Sequence, residues 1–195
     1  MKTHHIFFVA LCLIASACKP LYIEPLDKLK GDFGTPNMEF IGFVNTPGEE
    51  YAPMIFSGFG RELERCKIAV NSQTYSLGSQ FDMHELDSFP ALMRYVSYVK
   101  IDKLDVTYEQ VLNYCLQQIV FKADVCIYDT EKKKMVKTLP ISIKYQQAYK
   151  GYLKKSNPRM LERSERVILT NTVLNYYAQA YRYVDDIISG KQNVK

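Results

Sequence analysis

The residues able to do chemistry in this chain are few, and two groups of them stand out. Near the start, the small residues Ala15, Ser16 and Ala17 run directly into Cys18, whose thiol is open to covalent modification. Further on, Lys132, Lys133, Lys134 and Lys137 fall close together, and Lys144, Lys150, Lys154 and Lys155 follow with Tyr145, Tyr149 and Tyr152 among them. Ammonium groups gathered along one stretch attract anions, and phosphate is the natural target. For Lys132–Lys134 a solvated turn is the simpler reading. The remaining candidates are weak. Glu49-Glu50 and Asp185-Asp186 are adjacent carboxylates, and neighbours on a helix point to different sides, so no catalytic dyad follows. His84-Glu85 lies in a polar stretch and reads as a solvated pair. GxGxxG, GxxxxGK[ST] and GxSxG are all absent, and three His in total leave little for a metal set. Neither a cofactor nor a metal is expected, and the chain reads as a non-enzyme.

Cys18 gains meaning from what precedes it. Lys2, His4 and His5 are followed by an apolar run from Ile6 to Ala17. Twelve helical residues rise only about 18 Å, short of the roughly 30 Å hydrocarbon core of a bilayer. Such a run fits the hydrophobic region of a secretory signal peptide. Ala15-Ser16-Ala17-Cys18 resembles the lipobox of bacterial lipoproteins, although the family prefers Leu where Ala15 stands. The resemblance implies diacylglycerol on the Cys18 thiol, cleavage just before it, and usually a further acyl group such as palmitate on the new amine. Two or three acyl chains anchor stably, because each buried CH2 contributes about 0.8 kcal/mol. The alternative is a plain signal peptide cut nearby.

Elsewhere the composition is that of a globular domain. The chain has 195 residues, 47% hydrophobic and 24% charged, with a formal net charge of +4 at pH 7. That is enough for one domain with a real core and excludes extended disorder. Trp is absent while Tyr counts 15 and Phe 10, so the core must be built from Tyr, Phe and aliphatic residues. Past the signal peptide, Cys66, Cys115 and Cys126 remain beside Cys18. Three is odd, and Cys115 and Cys126 are eleven apart, which on one strand sets them on opposite faces. Buried free thiols are expected.

The elements that must position these groups follow from periodicity. Residues 1–17 are the expected signal peptide, 18–36 an extended tether rich in Pro and Gly, 37–190 a single domain, and 191–195 a tail. Met38 to Val44 suits a buried strand ending in a turn at Asn45-Thr46-Pro47-Gly48. Phe59, Leu63, Cys66 and Val70 step by four, three and four, predicting an amphipathic helix within Pro53–Val70. Asn71 to Pro90 reads as a long loop. Leu92 to Val106 alternates as a strand until Leu104 and Val106 shift the phase, as a bulge would. The segment 107–119 fits either a helix capped by Thr107 and Gln110 or a strand, and is read mainly as strand. Phe121, Ala123, Val125 and Ile127 alternate with polar neighbours, Asp129–Lys134 makes a hairpin tip, and Leu139, Ile141, Ile143, Tyr145 and Gln147 alternate on the way back. Asn157-Pro158 then opens a long helix reaching Ser189 and stopped by Gly190. Val167, Thr170, Leu174, Tyr177, Tyr181, Val184 and Ile188 mark its apolar face, and Glu165, Asn175, Gln179, Arg182 and Asp186 the other. The fold class is therefore α+β: a mostly antiparallel, four-stranded sheet with two amphipathic helices on one face.

With Cys18, the nearby Lys19-Pro20-Leu21-Tyr22, and the order strand, helix, strands, helix, the chain resembles the LPS-assembly lipoprotein (LptE) family. Pro140-Ile141-Ser142-Ile143-Lys144, followed by Asn157-Pro158 and a long helix, is similar to that family's last strand and closing helix. The resemblance implies a non-catalytic plug inside an outer-membrane β-barrel protein, helping lipopolysaccharide into the outer leaflet. It maps the lipopolysaccharide-contacting lysine onto Lys144, and Lys137 and Lys150 join it as candidate phosphate ligands. The expected location is the periplasmic side of the bacterial outer membrane, held by the lipid anchor, with no nucleic acid as partner. Two other readings stay open: an auxiliary lipoprotein of a lipid-transport ABC system, and a structural envelope lipoprotein.

Overall fold

Alternation of side chains along three long strands builds the molecule. The computed structural model describes residues 33–45, 55–56, 58–70, 76–77, 81, 83–150 and 163–191. The signal peptide, Cys18, most of the tether, Glu49-Glu50, Lys154, Lys155 and the Asn157-Pro158 cap lie outside the described residues. In chain order come β1 (Glu39–Asn45), α1 (Phe59–Arg65), β2 (Ser76–Leu77), a 3-10 helix (Met83–Ser88), β3 (Tyr95–Val111), β4 (Tyr114–Asp129), β5 (Lys134–Lys150) and α2 (Arg163–Ile188). The sheet order is β2-β1-β3-β4-β5. β3, β4 and β5 form an antiparallel meander, while β1 runs parallel to both β3 and β2. The expected sheet gains a fifth, two-residue strand within the stretch read as loop.

Both helices cover one face. There Phe40, Phe43, Phe56, Phe59, Phe121 and Tyr177 form the centre of a buried cluster with Leu63, Ile119, Ile141, Val173 and Val184. Phe40 and Phe43 are three apart in one strand and would ordinarily face opposite ways. A register shift between Phe40 and Gly42 turns both toward the helices, and Gly42 takes the φ of 134° that this bulge requires. Phe43 then stacks on Phe56, with ring centroids 4.8 Å apart, and Phe40 meets Phe59 and Tyr177 edge-on. Such aromatic pairs add about 0.5–1.5 kcal/mol each beyond the area they bury.

On the opposite face, Ile41, Val44, Val96, Tyr98, Cys126 and Tyr128 pack under Leu86, Phe81, Phe89 and Ala91. The segment around the 3-10 helix is thus a flap over one end of the sheet. Arg94 closes that end, with Nη2 2.8 Å from the Asp129 carboxylate and Nη1 2.8 Å from Glu131.

The phase change expected near Leu104 is real: β3 shifts register against β4 between Ile101 and Lys103, so Leu104 rejoins the helix-side core. The ambiguous segment 107–119 is strand, interrupted by the turn between Val111 and Tyr114. Gln110, read as a possible capping residue, instead donates its side-chain amide to the carbonyls of Leu112 and Tyr114. The first helix is shorter than its periodicity suggests, and the left-handed Gly58 stands before it.

Two expectations for the closing helix are corrected. Glu165 is buried, while Val167 and Ile188 are 48% and 60% exposed. The buried stripe keeps Leu174, Tyr177, Tyr181 and Val184 of the expected face and adds Leu169, Val173, Ala178 and Ala180. Small residues at 178 and 180 let the backbone approach the sheet, which widens the contact face beyond the one that residue size alone suggests. The end of the expected tether is also docked: Phe33 meets Tyr181 edge-on at 5.0 Å, and the Tyr181 hydroxyl donates to the Thr35 carbonyl at 3.1 Å.

Candidate functional site

Strand pairing sorts the candidate lysines by face. In β4, Ile119, Phe121 and Ala123 point to the helices, so Val120, Lys122 and Asp124 point away. Lys144 pairs with Val120, Ser142 with Lys122, and Lys150 with Tyr114. Lys122, Lys144 and Lys150 therefore share the face opposite α1 and α2, and all three are exposed. Lys122 and Lys144 are diagonal cross-strand neighbours, a spacing of about 7–8 Å between backbones. Among the described residues no ion pair joins these three to a carboxylate, whereas Lys100 holds Asp102 at 3.1 Å and Lys103 holds Asp105 at 2.6 Å. The neighbouring strand has neutralised its own cations and left those of β4 and β5 available. Like charges this close repel, and a bound phosphate relieves the repulsion.

Lys137 does not belong to that group. It pairs with Ile127, on the helix side of the sheet, and its Nζ lies 5.2 Å from the centroid of the Tyr183 ring. Its charge is engaged with the aromatic face of α2. The alternation that puts Leu139 and Ile141 inward already assigns Lys137 to their side, so period-two reading alone separates it from Lys144. Lys132, Lys133 and Lys134 are exposed at the β4–β5 turn, where Asp129 Oδ1 accepts the amides of Glu131 and Lys132. They are about ten residues, or roughly 33 Å of strand, from Lys144. Lys122 completes the surface and escaped the sequence reading because it lies in another strand.

The thiols play no visible part in this face. Cys66, Cys115 and Cys126 are free, and the last two are buried on opposite faces of β4, as their spacing requires. Burial pushes the Cys126 thiol up to about 11, so it is a poor nucleophile near neutral pH. Several buried polar groups serve structure: the Glu39 carboxylate accepts the Leu92 amide at 2.7 Å, and the Gln117 amide donates to the Tyr108 hydroxyl at 2.9 Å. Among the described residues there is no grouping of three or more His, Cys, Asp or Glu that could hold a metal. No described helix is long and apolar enough to cross a membrane.

One apolar feature had no sequence signal. The turn between β3 and β4 carries Val111, Leu112 and Tyr114, which are 46%, 83% and 51% exposed. Leu112 takes a φ of 54°, in the left-handed region where Gly or Asn is usual.

Comparison with known proteins gives only distant likenesses. No family model matches the chain, and no curated protein matches it. Among solved structures it is similar to a lipoprotein of Neisseria meningitidis (11% identity, 74% of this chain and 99% of that one, TM-score 0.40). It is also similar to a minor lipoprotein of Acinetobacter baumannii (8% identity, 81% and 96%, TM-score 0.34). A third is a dodecameric PelC from Paraburkholderia phytofirmans (14% identity, 73% and 89%, TM-score 0.34). At these identities and TM-scores the likenesses assign neither an activity nor a partner.

Proposed function

We propose that this chain is a bacterial envelope lipoprotein, acylated at Cys18, whose α+β body binds the phosphates of lipopolysaccharide or another phosphorylated lipid. In this reading it serves as plug and assembly partner of an outer-membrane β-barrel in lipopolysaccharide transport, without catalysis. The observation that carries it is the face opposite α1 and α2 on which Lys122, Lys144 and Lys150 stand exposed. The lipobox-like Ala15-Ser16-Ala17-Cys18 supports the anchor, and Lys144 is where the family resemblance puts the lipid contact. Cations on an open sheet attract a phosphorylated headgroup by charge, so the binding is expected to weaken as salt shortens the Debye length.

Binding of lipopolysaccharide to the purified, acylated chain tests the reading. Lys144→Asp combined with Lys150→Asp is expected to weaken binding at least tenfold, while Lys137→Ala leaves it within twofold. Dephosphorylated lipopolysaccharide is expected to bind no better than the double variant. Equal binding by wild type and double variant, or failure of a β-barrel to co-purify from detergent-solubilised envelopes, would overturn the corresponding half of the proposal.

A further inference from the structure

The far end of the β3–β4 hairpin is built unlike a solvated turn. At the very tip are Val111, Leu112 and Tyr114, with Leu112 83% exposed. Folding does not explain a leucine there, since it buries little and adopts a left-handed backbone that Asn113, its neighbour, would tolerate better. Two carbonyls of the turn are provided for from within: the Gln110 amide donates to the Leu112 carbonyl at 2.7 Å and the Tyr114 carbonyl at 3.0 Å. A turn whose carbonyls are satisfied without water can enter an apolar medium at lower cost. Behind the apolar tip come cations: Lys150 is paired with Tyr114, and Lys144 and Lys122 follow on the same face.

We infer that this tip is a membrane-dipping finger, with Leu112 and Val111 entering the acyl region of a bilayer, Tyr114 at the interface, and Lys150, its strand partner, against anionic phospholipid headgroups. A narrow, convex apolar point fits a fluid that closes around it. Tyr at the boundary with lysines behind it is the order of side chains that a membrane interface favours. The inference rests on the anchored-lipoprotein part of the proposed function and is independent of which protein the body docks on.

The absence of Trp from the chain supplies the experiment. Leu112→Trp and, separately, Tyr114→Trp each introduce a single indole into the full acylated chain, which is reconstituted into phosphatidylcholine vesicles with and without phosphatidylglycerol. Leu92→Trp, at the opposite end of β3 and 79% exposed in the parent residue, is the reference. Emission from both tip indoles is expected to shift to the blue on reconstitution and to be quenched by brominated acyl chains, with Leu92→Trp unchanged. Quenching is expected to rise about twofold with phosphatidylglycerol and to lose that rise when Lys150→Glu is added, while Lys144→Glu alone leaves it in place. Tip indoles that stay aqueous in vesicles overturn the inference, as does a blue shift already present in detergent-free protein without lipid, which would signal a second copy or another protein at the tip. Equal quenching of Leu92→Trp also overturns it. Diacylglycerol found on Cys18 by mass spectrometry in a chain with silent tip indoles would sink this inference and leave the lipoprotein reading standing.

Discussion

The hydroxyls of Tyr177 and Ser97 meet between helix α2 and strand β3, and Ser97 Oγ donates onward to the Glu39 carbonyl at 2.8 Å. With the serine proton committed to Glu39, Tyr177 is the donor of the pair. Burial drives the Tyr177 phenol far above its ordinary range, so it donates at any pH the fold survives. The chain of hydroxyls ties α2, β3 and β1 together at the centre of the aromatic cluster. Its two ends differ in what their loss leaves behind. Tyr177→Phe removes one donor and leaves Ser97 bonded to Glu39, which costs about 0.5–1.5 kcal/mol. Ser97→Ala leaves a fully buried phenol without that acceptor and costs about 1–3 kcal/mol. Urea unfolding of the two single variants and the double is expected to rank Ser97→Ala as the more damaging and to show a non-additive cycle. Equal, additive losses would mean that the contact contributes only packing.

Asp129 gives the fold a pH dependence of known sign. Burial raises its carboxyl, but the Arg94 guanidinium and the amides of Lys132 and Glu131 outweigh that and hold it below the ordinary carboxylate range. A depressed carboxylate contributes stability that is present above its unfolded value and lost as pH falls through its folded value. Asp124 acts oppositely, since burial and the nearby Asp102 raise its carboxyl. The difference between wild type and Asp129→Asn isolates the first group, because Asp124 is common to both. Asp129→Asn is expected to cost about 1–3 kcal/mol at neutral pH. The gap should begin to narrow as pH drops below about 4, where Asp129 of the unfolded chain takes up its proton, and close as pH falls through the lower folded value. Denaturant melts between pH 7 and pH 2 measure this, and a gap that stays constant would show that the ion pair contributes nothing.

The flap is the region most open to local loss. Tyr128 donates its hydroxyl to Asp87 Oδ1, and burial first, then Asp87, pushes the phenol up to about 12. Beneath it, Leu86 is 1% exposed and plugs the smaller cluster. Tyr128→Phe is expected to speed amide exchange in 83–91 while β4 and β5 keep their protection, because local opening needs to break only the flap's own contacts. Leu86→Ala should do the same more strongly, at about 2–5 kcal/mol. Exchange that accelerates evenly through the sheet would show that the flap and the sheet unfold as one unit.

Period-two alternation makes much of the sheet legible in the sequence. It assigned the faces of Phe121 to Ile127 and Leu139 to Gln147, and a break in phase marked the bulge before Leu104, because side chains on a strand have no other way to sort inside from outside. Lys144 and Lys150 could be read on one strand, but Lys122 joins them only through pairing, which a single segment does not reveal. The closing helix was visible as a helix, with Leu174, Tyr177, Tyr181 and Val184 of its contact face, while the ends of that face and its small residues were not. Ala178 and Ala180 weigh little in an apolar stripe and yet decide how close the backbone comes, and the burial of Glu165 depends on tertiary surroundings. Leu112 was invisible because turn chemistry is read from Gly, Asn and Pro, and a leucine there contradicts the rule. Residues that contradict local preference without helping the fold are the ones to examine for function.

That contradiction makes a prediction separable from membrane binding itself. A left-handed backbone costs an ordinary L-residue roughly 1–2 kcal/mol, and Asn tolerates it better than Leu. Leu112 gives back little by burial, being 83% exposed. Leu112→Asn is therefore expected to stabilise the fold by about 0.5–1 kcal/mol, visible as a higher urea midpoint at unchanged m. If the tip is retained for contact with lipid, the same variant should lose affinity for anionic vesicles although it is more stable. Gln110→Ala should behave differently, weakening vesicle binding and lowering the urea midpoint together, since it strips the turn carbonyls of their internal donor. A Leu112→Asn variant that is less stable than wild type would show that the leucine packs on something in solution, and the reason for its place in the turn would be structural.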